Sequence, residues 1–376
     1  MRYDRIIYKN IQDQLNLNKV ILVVGPRRVG KTVLLNQLCQ SYTGNYLLLD
    51  GEDLDTAMIL ERRTVSNYQQ LLDNISLLLI DEAQKIDQIG AIVKLMIDHF
   101  PHLSIILTGS SAFDLKQKFG EPLTGRKITH HLFPLSQKEF SKYENILDTR
   151  NNLEKKLIFG CYPEVWQYRN NKDRILYLRE LVNDYLFKDI LELENIHNAG
   201  KLKNLLRLLA FQIGKEVSND ELSRQLRLSR NTVEKYLELL AKVFVIFKLE
   251  GFSRNLRKEI TKNHRWYFID NGILNTILSN FKPLSIRQDV GLLWENYIIS
   301  ERRKYQHYCQ MIVNNYFWRT YDQQEIDWVE EIDTEINGYE MKWSPQKSRI
   351  PAAWKKAYPQ AGFEVIHQDN YLDWIL

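Results

Sequence analysis

Eight consecutive residues carry the clearest chemistry in the chain: Gly25, Pro26, Arg27, Arg28, Val29, Gly30, Lys31 and Thr32. The spacing G-x-x-x-x-G-K-T turns a run of backbone N–H groups inward at the start of a helix, where they meet phosphate oxygens. Lys31 then reaches the β- and γ-phosphates, and the Thr32 hydroxyl ligates magnesium. The β-branched, apolar stretch Lys19–Val24 precedes the loop and helix-forming Val33–Cys39 follows it, giving strand, glycine loop, helix. ATP with Mg2+ is the expected ligand. A glycine turn that merely joins a strand to a helix is the plainer reading, and the full motif in its required context argues against it.

A second group fits the same chemistry. Leu77-Leu78-Leu79-Ile80 reads as a fully apolar strand ending in Asp81-Glu82. Asp81 is expected to hold the magnesium shell and Glu82 to polarise the attacking water, which implies hydrolysis and not only binding. As plain structure, the two acids form a pair favoured by a helix N-terminus. A third buried strand, Leu103–Leu107, ends in Thr108-Gly109-Ser110-Ser111. If it lies between the first two, a hydroxyl falls beside the γ-phosphate, Ser110 in first place and Thr108 as the alternative; turn formation is the competing role. A further strand near Lys127–Leu132 follows Gly125-Arg126. An exposed Arg126 is either a surface charge or a phosphate-stabilising arginine, supplied to its own site or to a neighbouring subunit's.

The C-terminal part holds a separate constellation. A long helix through Trp294-Glu295-Asn296-Tyr297 precedes strand-like Tyr316–Trp318, then Glu325-Ile326-Asp327-Trp328-Val329, then Gly338-Tyr339-Glu340-Met341-Lys342-Trp343. Strand alternation puts Glu340 and Lys342 on one face, a hairpin brings Asp327 beside them, and Glu295 approaches from the helix. Three carboxylates and a lysine are what metal-assisted phosphodiester cleavage needs. Asp327 and Glu340 are the expected Mg2+ or Mn2+ ligands, Glu295 supports the metal shell, and Lys342 orients or deprotonates the attacking water. The order resembles the PD-(D/E)xK nuclease fold. The same Glu340–Trp343 stretch also reads as any half-exposed strand, charged outward and apolar inward, so a nuclease fold and nuclease activity are separate expectations.

These groups need elements to position them. Asn151–Asn198 is helical by spacing, with Leu153, Ile158, Ile175, Leu178, Leu181, Tyr185 and Leu191 recurring every three to four residues, and reads as a lid or connector. At Ser218 a capping box (Ser-Asn-Asp-Glu) opens a short helix, Arg227-Leu228 turns, and Ser229 caps a second helix reaching about Lys242. With strand-like Val243–Leu249 next, the pattern predicts a winged helix-turn-helix. Arg230, Asn231, Glu234 and Lys235 then face a DNA major groove, and Arg254, Arg257 and Lys258 form a basic wing on phosphates. The alternative is a protein-docking or regulatory surface. His130 and His131 alternate to opposite faces of a strand and form no metal pair, and Trp343, Trp354 and Trp374 are packing residues.

The order of Gly25–Thr32, Asp81-Glu82-Ala83-Gln84, Leu107–Ser111, Gly125-Arg126 and Phe133-Pro134-Leu135-Ser136 resembles the AAA-type ATPases of archaea and bacteria that carry a C-terminal domain of unknown function. Phe159-Gly160-Cys161-Tyr162-Pro163-Glu164 and Phe252–Ile260 extend the likeness over most of the chain, with Cys161 a mild departure where that family shows a second small residue. The resemblance implies an AAA-plus ATP-binding core and a homo-oligomer, because such sites lie between subunits.

Composition agrees with a multidomain globular protein. The chain has 376 residues, 44% hydrophobic and 26% charged, and its 51 basic against 47 acidic residues leave a net charge of +4. This near balance excludes a polycationic packaging protein but not local basic patches. Cys39, Cys161 and Cys309 are widely spaced and odd in number, which argues against a disulfide framework or zinc knuckle. No apolar run approaches the roughly 18 residues of a membrane span, and the first residues do not read as a secretory leader, so no membrane partner and a cytoplasmic location are expected. The expected architecture is an α/β P-loop NTPase of AAA-plus type with a parallel sheet (1–134), a helical lid (135–196), a winged helix (197–278) and an α/β nuclease-like domain (279–376). Two functions follow: an ATPase whose nucleotide state controls engagement or metal-dependent cleavage of double-stranded DNA, or an ATP-dependent conformational switch or partner module with an inert tail.

Overall fold

The computed structural model describes residues 3–15, 17–110, 123–186, 199–253, 264–320, 322–346 and 349–376. Ser111, Leu191, Arg254, Arg257 and Lys258, all named above, lie outside them. The chain divides into two compact units: Met1–Pro134 with Lys242–Phe244, and Leu135–Ala241 with Val245–Leu376.

The first unit is built on β1 (Val20–Val24), β2 (Tyr46–Asp50), β3 (Leu77–Asp81), β4 (Ser104–Gly109) and β5 (Lys127–His131). They form one sheet in the order β2-β3-β4-β1-β5, and every pairing is parallel. β4 thus lies between the strand that feeds the phosphate loop and the strand that ends in Asp81, the arrangement the hydroxyl argument required. Parallel strands covered on both faces read as continuous apolar runs, and β1, β3 and β4 are buried along their whole length. The edge strand β2 alternates instead, leaving Tyr46 and Leu48 exposed. β4 starts one residue later than expected and extends through Thr108 and Gly109, because Val23 and Val24 pair with those two residues and carry the ladder to the loop.

The second unit holds β6 (Glu216–Val217), β7 (Ile246–Gly251), β8 (His264–Phe268), β9 (Asn314–Arg319), β10 (Glu325–Ile332), β11 (Glu335–Met341) and β12 (Gly362–Ile366). The sheet order is β12-β11-β10-β9-β7-β8-β6. β9, β10 and β11 form an antiparallel meander, and the β7–β8 hairpin joins it through a parallel β7–β9 pairing. One sheet therefore runs across residue 278, where two separate domains were expected to meet. Phe252, Trp318, Ile326, Val329, Ile336 and Trp354 pack into a core cluster beneath it. Helix Val290–Tyr308 is tied to β10 by Arg302, whose Nε and Nη2 donate to the Glu330 carboxylate at 2.6 and 2.7 Å, while Trp328 Nε1 and Gln306 Nε2 also donate to it.

The helix-turn-helix forms as Asn219–Leu226 and Arg230–Lys242, with Arg227 in the left-handed region between them. Ser229 Oγ accepts from Thr232 N at 3.1 Å, as a cap should. The expected capping box at Ser218 does not form, since its side chain makes no cap hydrogen bond; Asp220 and Glu221 supply negative charge to that first turn. β7 also starts three residues later than the predicted Val243–Leu249 strand. Phe244 has φ +61°, which breaks the extended run, and Val245 N turns back to Leu240 O at 3.0 Å to close the helix.

Candidate functional site

The phosphate loop is held in a fixed form by contacts from outside the motif. Helix Lys31–Ser41 begins after Gly30 at φ +98°, a conformation open to glycine at no steric cost. Gly25 lies so close to β5 that an added Cβ would fall 2.0 Å from Leu132 O. Arg5, buried near the N-terminus, donates from Nη1 to Val29 O at 2.5 Å and from Nη2 to Phe133 O at 2.6 Å. Pro26, Arg27 and Arg28 complete the loop, with Arg28 exposed and at φ +62°. Lys31 is 5% exposed, and its ammonium donates to Gly25 O at 3.1 Å and Pro26 O at 3.0 Å.

Thr32, Asp81 and Thr108, from three separate elements, form one hydrogen-bonded chain. Thr32 Oγ1 donates to Asp81 Oδ2 at 2.6 Å, and the fully buried Thr108 donates to Asp81 Oδ1. The Glu82 N–H is shared between Asp81 Oδ1 and Thr108 Oγ1, each at 3.1 Å. Glu82 itself takes the left-handed conformation at φ +45°, a strained state for this residue type and one that clusters at functional sites. Gln84 Nε2 bridges the Glu82 carboxylate and Ser110 Oγ, the latter at 3.2 Å. The two hydroxyls weighed in the sequence thus have different partners: Thr108 on Asp81, Ser110 on Gln84.

The donor set fits a nucleotide with its metal. A hydroxyl and a carboxylate already 2.6 Å apart are oxygen ligands of the kind magnesium takes with substrate phosphates, and a buried lysine stands beside the amide-lined loop. Arg126 does not join them. Val20 N donates to Arg126 O at 2.9 Å, which puts Arg126 at the N-terminal end of β1, whereas the phosphate loop leaves the C-terminal end. Five strand residues span about 16 Å, too far for its side chain, and that side chain pairs with Asp98. A role for Arg126 in its own subunit's site is thereby corrected.

Sequence reading missed three residues here. Arg5 gave no signal, being an isolated arginine before the first strand. Gln84 stood next to the acidic pair without a role. Gly51 follows β2, and an added Cβ there would fall 2.6 Å from Glu82 O; a glycine just after an apolar strand was the available clue.

In the second unit the expected residues do converge. β10 and β11 form the hairpin, with Trp328 opposite Tyr339, and Met341 N donates to Asp327 Oδ2 at 2.9 Å. Glu340 and Lys342 share a face and pair at 2.7 Å. Tyr267 Oη donates to Glu295 Oε1 at 2.8 Å. Burial, then the neighbouring Asp327 charge, raises Glu295 and Glu340 above the ordinary carboxylate range, and burial raises Asp327. Burial works against the Lys342 ammonium, but Glu340, with Asp327 and Glu295 behind it, raises its pKa above the ordinary lysine value.

A metal does not fit among them. Arg265, 2% exposed and unremarked in the sequence, donates from Nη1 to Asp327 Oδ1 at 3.2 Å and from Nη2 to Glu325 Oε2 at 2.7 Å. Among the described residues, no three His, Cys, Asp or Glu side chains are arranged to hold a metal ion. Where a metal was expected on Asp327 and Glu340 with Glu295 behind them, Asp327 accepts from Arg265 and the Met341 N–H, Glu340 pairs with Lys342, and Glu295 accepts from the Tyr267 hydroxyl. The helix-turn-helix surface is also balanced in charge, with exposed Arg224, Arg227, Arg230 and Lys235 set against exposed Asp220, Glu221, Glu234 and Glu238. Arg230 lies 3.6 Å from Asp220.

Three family models match the chain. Residues 17–141 match the AAA domain, 150–284 a domain of unknown function (DUF8612) and 290–370 another (DUF4143). An uncharacterized protein of Methanocaldococcus jannaschii is 25% identical over 319 residues, covering 80% of this chain and 70% of its own. One from Mycobacterium tuberculosis is 24% identical over 330 residues, covering 86% and 70%. Among solved structures, a Walker-type ATPase of Pyrococcus abyssi is 17% identical with a TM-score of 0.49, covering 74% of this chain and 96% of that one. No helix among the described residues is long and apolar enough to cross a membrane. The chain thus carries a match to the AAA domain over the five-stranded parallel sheet that bears the phosphate loop, and a match to DUF4143 in its C-terminal part.

Proposed function

We propose that the first unit binds ATP and hydrolyses it at Gly25–Thr32, Asp81 and Glu82, and that nucleotide state switches a C-terminal unit that does not cut nucleic acid. The observation that carries the first part is the hydrogen-bonded chain Thr32–Asp81–Thr108 at the mouth of the phosphate loop. Loop amides and the Lys31 ammonium take the phosphate charge. Thr32 and Asp81 would hold Mg2+, which when bound neutralises charge on the β- and γ-phosphates. Glu82 leaves Gln84 to accept a proton from the attacking water, and Gln84 and Ser110 supply polar contacts at the same edge. Lys31→Ala is expected to abolish ATP binding, and Glu82→Gln to keep binding while turnover falls about 100-fold or more. Turnover unchanged in either variant sinks the assignment.

The non-cutting part rests on Arg265, seated on Asp327 and Glu325, and on the charge balance of the helix-turn-helix face. A partner protein suits that face better than a phosphate backbone does. The competing expectation, engagement of double-stranded DNA, requires an affinity that falls steeply with salt. DNA binding with that slope, or DNA cleavage in Mg2+ or Mn2+ with or without ATP, would restore the first of the two functions named above. Assembly into a homo-oligomer, with Arg126 offered to a neighbour's site, belongs to the same proposal and is read by light scattering with and without ATP.

A further inference from the structure

The PD-(D/E)xK resemblance calls for a divalent metal among Glu295, Asp327 and Glu340, and Arg265 already bonds Asp327. It is the second residue of β8, paired with Leu249 of β7 and Glu216 of β6. Strand alternation puts Arg265 and Tyr267 on one face, and Tyr267 reaches Glu295 from it. The guanidinium carbon lies 4.8 Å from the Phe317 ring centroid, and two of its nitrogens bond carboxylate oxygens. Asp327 has both oxygens engaged, one on Arg265 and one on the Met341 amide. Glu340 is held by Lys342.

Resting on the non-cutting reading given above, we infer that Arg265 is the resident cation of this carboxylate site: it excludes a divalent metal, and its removal opens a metal site on Asp327, Glu340 and Glu295. A cluster of acids alone says nothing about a ligand. Here a buried guanidinium bonds Asp327 and the neighbouring Glu325 through two nitrogens, and Lys342 pairs with Glu340, so positive charge already meets these acids from within the fold. Arginine keeps its charge under all ordinary conditions and makes fixed, planar contacts, so it fills the place permanently where a metal would exchange. Arg265 also sits on a strand of the β7–β8 hairpin and not on β10 or β11, so the sheet itself carries the cation to the acids.

The test counts Mn2+ sites on the nucleotide-free full-length chain by calorimetry and electron paramagnetic resonance. Arg265→Met keeps the side-chain length and loses the charge. It is expected to gain one site, at least tenfold tighter than any in the wild type, and Arg265→Met with Asp327→Asn is expected to lose it again. Arg265→Lys keeps a cation and gains none. An Arg265→Met chain that folds, judged by circular dichroism, and binds no additional Mn2+ overturns the inference. If that variant does not fold, the wild type decides: Mn2+ binding to it that disappears in Asp327→Asn overturns the inference, and wild-type titrations identical to those of Asp327→Asn support it. The non-cutting reading fails separately, through metal-dependent DNA cleavage by the wild type, and stands when only Arg265→Met fails to gain a site.

Discussion

Thr108 offers the sharpest test of how the ATP site is held. Its hydroxyl is fully buried, donates to Asp81 Oδ1 and accepts from Glu82 N at 3.1 Å. Thr108→Val preserves shape and deletes both bonds. Glu82 N keeps its 3.1 Å bond to Asp81 and Thr32 keeps its 2.6 Å bond, so one charge-assisted hydrogen bond is the net loss. Such a bond contributes about 1.5–3 kcal/mol. If it persists through the reaction, each 1.4 kcal/mol or so is tenfold, and turnover should drop by about 10- to 100-fold. Stability of the first unit should fall by a similar energy in urea titration, because Asp81 loses a buried partner. Thr108→Ser restores the donor and should recover most of the rate. Phosphate release under saturating ATP reads the effect. Turnover within about twofold of wild type for Thr108→Val, or equal damage from Ser and Val, would refute the argument that this hydroxyl positions Asp81 and Glu82.

Three further expectations follow from the geometry. Gly51→Ala forces a Cβ to 2.6 Å from Glu82 O, so the Asp81–Glu82 turn must move; ATPase turnover should fall, with a stability loss of about 1–3 kcal/mol, and an unchanged rate would place the turn outside the machinery. Burial lowers the pKa of His130, whose Nε2 lies 2.7 Å from Gln14 Oε1. The unfolded chain takes up this proton first, so stability is full above the ordinary value near 6.5 and is lost as pH falls below it; urea unfolding at about pH 7.5 and 5.5 should show a smaller acid loss in His130→Gln. Glu330→Gln leaves buried Arg302 without its carboxylate; about 3–5 kcal/mol of stability should go, and thermal unfolding with no change would mean that the pair is not formed.

What the sequence made legible was whatever repeats on a fixed local period. The buried runs Val20–Val24 and Leu77–Ile80 could only be inner parallel strands, and the loop between strand and helix carries its chemistry in contiguous residues. The tail hairpin was legible for the same reason, since Asp327 and Glu340 are separated by one short turn. What stayed hidden depends on residues brought from far away. Arg5 reaches Phe133 across 128 positions, and Arg265 reaches Asp327 across 62. Neither arginine stands in a motif, and an arginine in a strand reads as an ordinary edge charge. The Ser218 cap failed differently: the residue types were right for the box, but no side-chain bond formed at the helix start.

On the reading proposed above, the two units use their buried cations differently. In the first, the Lys31 ammonium donates to the carbonyls of Gly25 and Pro26, and Thr32 and Asp81 share a hydrogen bond that, on the same reading, a metal replaces with its own oxygen contacts. In the second, the buried Arg265 bonds two carboxylates, so an incoming divalent ion would have to take Asp327 from a guanidinium. On that reading, a lysine that donates to loop carbonyls serves a site that exchanges its ligand, and an arginine bonded to acids serves one that stays closed.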